Sequence, residues 1–459
     1  MTDSTMSEQA TTEAIYDVEA DEQECRRAFI NGEIPVAVYG LGKMGLPLAA
    51  VYGDVTGNVV GADIDSAVVD SINRGESHID DEPGLDELVA ELVSNDEFKA
   101  VDEPSEAAAS ANVHVVIVPT LIDEESRPDL SIITAVSEAI GSGLDSGDLV
   151  IIESTVPPQT CRNTVLPILE RESGLSLGDF GLAFCPERTA SGRAIQDIRG
   201  AYPKVVGGAD AESTAVAELI YDEINSSGVI PTSDITVAEA VKLFEGLYRD
   251  VNIALVNELA QFTDEIGIDV NEAIEIANTS PYADLHRPGP GVGGHCIPYY
   301  PHFLMQPFET EAPLLRTARE INDGMPKFTV QKLQEEFEAE GRDLEGSTVL
   351  VLGLTYRPGV NEIRATPARP IAEQLGELGV DVRLVDPILE DFSEFAGTPT
   401  PLEDIYGCDP DAAVMVTPQE EFDGINWERF DPLVVIDGRQ SLDLAETSHR
   451  VYTIGSGGQ

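Results

Sequence analysis

Basic residues are scarce in this chain of 459 residues: 27 Lys and Arg stand against 84 Asp and Glu, a net charge of −57. Only six are lysines, at Lys43, Lys99, Lys204, Lys242, Lys327 and Lys332. A chain this poor in cations argues against a nucleic-acid or anionic-membrane binder, because both partners select basic surfaces. No apolar run approaches the roughly 18 residues of a membrane span, and no signal-like segment opens the sequence. The five cysteines show no Cys-x-x-Cys pairing and are too sparse for a disulfide framework, and the six histidines do not cluster at metal-ligand spacing. The expectation is a cytoplasmic protein with no metal site and neither nucleic acid nor membrane as partner.

With 42% hydrophobic residues there is ample material for packed cores. At about 100–200 residues per domain, the length implies two to four domains. The acids are spread over the whole chain. Their mutual repulsion opposes compaction in dilute buffer, whereas molar salt shortens the Debye length to about 3 Å. This composition reads as salt-adapted.

Residues 1–32 read as an acidic, frayed tail with a short helix near 20–30. Residues 33–232 alternate buried-strand and helix patterns, with strands expected at 34–39, 58–62, 113–118, 149–153 and 181–184, the signature of an α/β, doubly wound parallel sheet. From Ser233 apolar residues recur at helical spacing through Val241, Phe244, Leu247, Val251, Leu255, Leu259 and Phe262, a helix of about 30 residues or more within a segment 233–325. Residues 326–459 return to α/β texture and form a second Rossmann-like domain ending in a short tail at 455–459.

Three motifs carry chemistry. Gly40-Leu-Gly42-Lys43-Met44-Gly45 follows the first strand and opens a helix; its glycines let backbone N–H groups approach a pyrophosphate. Asp63, 18 residues beyond Gly45, stands where an acid meets the ribose hydroxyls of NAD and disfavours the 2′-phosphate of NADP. Cys296 sits in the glycine-rich, proline-braced loop Pro288–Pro298, a setting that can present a thiolate to substrate; the other four cysteines are read as structural. Lys242, rare by its type, lies on the long helix among apolar residues and can stabilise a developing alkoxide, or snorkel to solvent. Thr120 and Thr155 lie just beyond strand ends, where ligands sit in open α/β sheets, and Glu187 is a candidate acid–base carboxylate.

Together these segments resemble the UDP-glucose/GDP-mannose dehydrogenase family of nucleotide-sugar 6-dehydrogenases, over nearly the whole chain. The resemblance rests on GLGKMGLPLA, INRGESHIDDEPGLDEL, VPT, ESTVPP, CPERT, EAVKLFEGLYRDVNIALVNELA, GPGVGGHC and VLGLTYRPGVNEIRATP, in that order. It implies an N-terminal NAD domain, a central helix that builds a homodimer, and a C-terminal domain for the UDP-sugar. It also implies oxidation of the sugar C6 alcohol to a carboxylate with two NAD. Cys296 would carry a thiohemiacetal and then a thioester, Lys242 would stabilise oxyanions, Thr155 would position water, and Glu187 would be the catalytic carboxylate. Arg364 matches a basic residue near cofactor and substrate. Arg249, Asn252, Gly291, Gly293 and Arg357 match substrate-side positions. The Gly-Gly-His-Cys loop and the segment Arg249–Asn252 are similar to the branch acting on UDP-N-acetylhexosamines, UDP-N-acetyl-D-mannosamine in particular, with UDP-glucose and UDP-N-acetylglucosamine as alternatives.

Two positions depart from that pattern: Gly246 stands where the family usually has Asn, and Tyr300 where it usually has Asp. The second bears on thioester hydrolysis, since a phenol is a poor base at neutral pH. Arg357 replaces the usual Lys. These departures leave open a nucleotide-sugar-binding homologue without turnover. A β-hydroxyacid dehydrogenase, which shares the first glycine motif, would need neither the third domain nor the Cys loop. The charge itself is testable: molar KCl should raise both activity and the thermal midpoint, and a protein most stable in dilute buffer would sink the salt-adapted reading.

Overall fold

Val36-Ala-Val-Tyr39 has no polar alternation because both its faces are covered: all four residues are buried, as are those of the next strand, Val59–Ala62. In the computed structural model, residues 14–18, 20–79, 82–123, 125–189 and 192–458 are described. They fall into two compact units, one running to Phe244 and including His302–Pro307, the other comprising Glu245–Pro301 and the chain from Phe308 onward.

The first unit is built on an eight-stranded sheet. Its strands are β1 (Val36–Tyr39), β2 (Val59–Ala62), β3 (Phe98–Val101), β4 (Val113–Val116), β5 (Leu149–Ile152), β6 (Gly181–Phe184), β7 (Lys204–Gly208) and β8 (Val229–Pro231). Their order is β8-β7-β6-β5-β4-β1-β2-β3, with the topological switch between β1 and β4. The expected parallel sheet holds from β1 to β6. Beyond it β7 runs antiparallel to β6, pairing Ala183 with Gly208 and Phe184 with Gly207, while β8 runs parallel to β7.

The second unit repeats the plan with β9 (Thr348–Leu352), β10 (Asp381–Val385), β11 (Thr398–Pro399), β12 (Ala412–Met415), β13 (Val434–Asp437), β14 (Arg450–Thr453) and β15 (Gly457–Gly458). The order is β11-β10-β9-β12-β13-β14-β15, the same winding about a switch between β9 and β12. Only the last pair, β14 with β15, is antiparallel. The expected C-terminal tail is therefore a sheet edge through Gly458, and the Gly455 carbonyl accepts the Val270 N–H at 2.7 Å.

The long helix is Ile235–Gln261, 27 residues, begun by Asp234, whose carboxylate accepts the Thr236 N–H at 2.8 Å. It is slightly shorter than the sequence periodicity implied, because the chain turns at Phe262 before a further helical turn, Thr263–Ile266, that Gly267 ends at φ 73°.

The short helix expected near residues 20–30 is present, but the N-terminal stretch is not the frayed tail that its acidity suggested. Residues 1–13 lie outside the described residues, but Ile15 and Tyr16 are buried, and both their N–H groups donate to the Gly147 carbonyl. The Tyr16 hydroxyl donates to Asp210 at 2.8 Å. A helix follows at Glu22–Ile30, started by a reciprocal Asp21–Glu24 capping box, and it buries Cys25, Ala28 and Phe29 in the core shared with helices Gly45–Thr56 and Ala211–Ile224. The acids line its outer side and hide the inward apolar stripe from a composition-based reading. Phe29→Ala should cost about 3–5 kcal/mol in urea unfolding performed in molar KCl; a frayed segment would show no change.

Candidate active site

The turn after β1 is shaped by backbone crowding. Gly40 takes φ 91°, and a side chain there would press on the Ile117 carbonyl. A Cβ at Gly45 would overlap the Gly40 carbonyl, so helix Gly45–Thr56 can start here only with glycine. At Gly42, by contrast, nothing lies within 4 Å of where a Cβ would be. The Asp63 carboxylate, after β2, accepts the Leu41 N–H at 2.8 Å and the Asp65 N–H at 3.0 Å, tying the glycine turn to the neighbouring strand end. Thr120, four residues past β4, has a buried hydroxyl with no partner among the described residues.

An open glycine cradle at a helix N-terminus, an acid at the second strand end and an orphaned hydroxyl beside the switch point fit a dinucleotide. Gly40, Gly42 and Gly45 would face its pyrophosphate, with Lys43 and Met44 in the same turn, Asp63 would face a ribose, and Thr120 would offer a hydrogen bond. Lys43 is exposed and Met44 half-buried, its sulfur accepting from the Thr189 hydroxyl at 3.1 Å.

Lys242 does not snorkel. It is 8% exposed, donates to the Glu187 carbonyl, and lies 3.5 Å from the Glu187 carboxylate. The structure thus joins two residues that the sequence suggested separately. The other Glu187 oxygen accepts the Thr189 N–H. One turn before Lys242, buried Glu239 accepts the N–H groups of Gln159 and Cys161 at 2.6 and 2.8 Å, holding the loop that follows half-buried Thr155. Burial raises the Glu239 carboxyl above the usual carboxylate range, and those N–H groups oppose the shift.

Sequence reasoning missed a further ion pair behind Glu187. Glu153, at the end of β5, is 1% exposed and accepts from Lys204 at 2.7 Å and from the Tyr221 hydroxyl. The Lys204 ammonium also lies 4.6 Å from the Tyr221 ring centre. A cavity of about 20 Å³, room for about one water, is lined by Glu153, Glu187, Lys204, Tyr202, Tyr221 and Met44. The available signal was the rarity of Lys204 in the composition.

In the second unit the Cys296 loop is anchored at both ends. Asp250 on the long helix is fully buried, and its side chain accepts from Arg319 and from Asn322. The Asn322 amide oxygen accepts from Asn257, whose own oxygen accepts the Gly289 N–H at 2.9 Å. This polar chain, also unseen in the sequence, fixes where the loop begins. Further on, a Cβ at Gly291 would meet Pro367, and one at Gly293 would meet Tyr356 and the Ala365 carbonyl. The Gly294 N–H donates to the Arg364 carbonyl at 2.8 Å. The expected substrate-side glycines are thus needed for close packing on the segment after β9.

Cys296 is exposed, the other cysteines being buried or half-buried. His295 approaches Glu362 at 3.2 Å. The Arg364 guanidinium lies over the Tyr299 ring, 6.0 Å from its centre, and Arg357 is half-buried nearby in sequence. Arg249 is exposed. The Asn252 amide is committed to the chain, donating to the Asp284 carbonyl at 2.6 Å and accepting the His286 N–H at 2.9 Å. Arg439, just past β13, donates to the carbonyls of Val416 and Gly291, and burial pushes its guanidinium down to about 10. No carboxylate among the described residues pairs with it. No group of three or more His, Cys, Asp or Glu among the described residues could hold a metal ion, and no described helix is long and apolar enough to cross a membrane.

Family models match in the same order as these parts. The NAD binding domain of the UDP-glucose/GDP-mannose dehydrogenase family matches residues 34–225, the central domain of that family matches 236–324, and its UDP binding domain matches 350–444. The UDP-N-acetyl-D-mannosamine dehydrogenase of Pyrococcus horikoshii is 37% identical over 92% of this chain and 99% of its own. An NDP-N-acetyl-D-galactosaminuronic acid dehydrogenase of Ralstonia solanacearum is 33% identical over 88% of this chain and 95% of its own. The solved structure of a UDP-D-ManNAc dehydrogenase from Pyrococcus horikoshii superposes with a TM-score of 0.85 at 36% identity, covering 92% of this chain and 99% of that one.

If Asp63 faces the ribose, Asp63→Ala should weaken NADH binding about tenfold, the worth of one charge-assisted hydrogen bond, and narrow its preference over NADPH. Fluorescence titration with both nucleotides reads this; unchanged affinities would remove Asp63 from the cofactor site.

Proposed function

Since the chain belongs to the UDP-glucose/GDP-mannose dehydrogenase family, we propose that this NAD-dependent UDP-sugar dehydrogenase acts on UDP-N-acetyl-D-mannosamine, oxidising its C6 alcohol to the carboxylate. The observation that carries the choice of sugar is the near full-length likeness to UDP-N-acetyl-D-mannosamine dehydrogenases.

Bound NAD supplies the oxidant, each of two equivalents accepting one hydride. In this reading the Lys242 ammonium stabilises negative charge on oxygen as the alcohol loses its proton. The Cys296 thiolate adds to the aldehyde carbon. The resulting thiohemiacetal is oxidised to a thioester, and water cleaves it to the carboxylate and free Cys296. Glu187 moves protons for that water, and Thr155 orients it. The exposed thiol on a rigidly anchored loop and the buried Lys242–Glu187 contact support these roles.

We also assign the segments 33–232, 233–325 and 326–459 to cofactor binding, dimerisation and UDP-sugar binding, place the protein in the cytoplasm, and expect a homodimer. The stripe Val237, Phe244, Tyr248, Leu255 and Phe262 supports the dimer. These residues are 43–59% exposed, and their spacing keeps Val237, Phe244, Tyr248 and Leu255 on one side of the long helix, with Phe262 just past its end, where a second copy can cover them.

The test is NADH release in molar KCl with UDP-N-acetylmannosamine, UDP-N-acetylglucosamine, UDP-N-acetylgalactosamine, UDP-glucose and GDP-mannose, followed by mass spectrometry of the product. Two NADH per uronate with UDP-N-acetylmannosamine is the expected result, and Cys296→Ser should lower net uronate production at least about 10³-fold. Turnover with another sugar alone would reassign the substrate, and no NADH with any sugar would favour the binding homologue.

A further inference from the structure

Gly246 lies in the interior of the long helix, one turn beyond Lys242, and it is buried. Tyr300 packs against it: a Cβ at position 246 would overlap the edge of the Tyr300 ring, pressing on its Cδ2 with Cε2 and Cγ close by. The ring is 7% exposed, and the atoms in contact are near its stem, so it cannot swing aside as a flexible tip would. Tyr300 is also coupled to the proposed nucleophile through the backbone. Its N–H donates to the Cys296 carbonyl at 2.9 Å, as does the Tyr299 N–H at 3.1 Å, so Cys296 opens the turn that leads into helix Tyr300–Met305.

The two departures from the family pattern thus fall against each other. We propose that Gly246 and Tyr300 are a coupled positioning pair for Cys296: the Tyr300 ring, seated on the bare Cα of Gly246, fixes the turn that presents the thiol. The proposal rests on Cys296 being the reactive thiol of the reading above. It assigns Tyr300 no proton transfer; the ring acts through the Cys296 backbone.

The test combines turnover with a readout that needs none. Steady-state kcat and KM are measured with the UDP-sugar found in the screen. Alkylation of Cys296 by iodoacetamide is followed by mass spectrometry of its peptide in the folded protein across pH. Gly246→Ala should lower kcat about tenfold or more with KM moved less than about threefold, and change the alkylation rate at least about threefold, because displacement of a reacting group by about 1 Å has effects of this size. Tyr300→Phe, which keeps the ring, should stay within about threefold of the parent. Tyr300→Ala should lower kcat, and adding Gly246→Ala to it should cost nothing further, since residues that act only through each other are non-additive.

Gly246→Ala with parental kcat and alkylation would overturn the pair, as would effects that multiply in the double variant. A purely structural contact would lower the thermal midpoint and leave the alkylation rate of the folded protein unchanged, which also overturns it. If Gly246→Ala fails to fold, Tyr300→Ala decides: parental alkylation of Cys296 there sinks the proposal. Full turnover by Cys296→Ser would instead defeat the covalent mechanism, while the alkylation coupling between positions 246 and 296 would still be measured on its own.

Discussion

A buried ammonium must be answered by oxygen, and in the first unit Lys242 is answered by the carbonyl and carboxylate of Glu187. Much of the neighbouring structure follows from that demand. Glu187 can reach Lys242 only if the chain leaving β6 is held, and the Glu153–Lys204 pair, the Tyr221 hydroxyl and the small cavity lie behind it. Glu239, on the same helix, grips the loop after Thr155. One helix therefore sets both the cation and the loops around it. Removing one partner from such a buried pair costs about 3–5 kcal/mol, far above the median for a surface ion pair.

The parts that could be read from sequence are those whose cause is local. The Gly40–Gly45 turn and Asp63 carry their constraint within a single βαβ unit, and the expected strand 181–184 is the observed one. Helix Ile235–Gln261 announced itself by apolar spacing over seven turns. What stayed hidden depends on residues far apart in the chain. Lys204 meets Glu153 across 51 positions, and Asn257 meets Asn322 across 65. No period or motif encodes such pairs. The reversal at β7 was hidden for another reason: strand direction follows from the path of the connection, not from residue type. The short N-terminal helix was legible, but its packing was not, because its acids dominate the composition while its three buried residues do the packing.

The net charge of −57 sets a second condition. NAD and a UDP-sugar are both anions, so the long-range field opposes their approach unless salt screens it. Attraction must come from short-range groups, and the structure withholds several cations from the acidic background. Lys242 and Arg319 are buried on oxygen partners, and Arg439 is held by carbonyls alone. A cation answered by neutral dipoles keeps its full charge toward an incoming anion, in contrast to one neutralised by a carboxylate.

The contact between Gly246 and Tyr300 also constrains history. A glycine inside a helix costs about 1 kcal/mol relative to alanine, and only a large ring laid against it returns that loss through burial. A chain with any side chain at position 246 can reach this packing only by first losing that side chain, because the aromatic ring has no room until it is gone. Once the ring is in place, the glycine can no longer be replaced alone. The two positions are therefore entrenched in a fixed order: glycine can stand at position 246 without the ring, but the ring should not be found at position 300 beside any other residue at position 246.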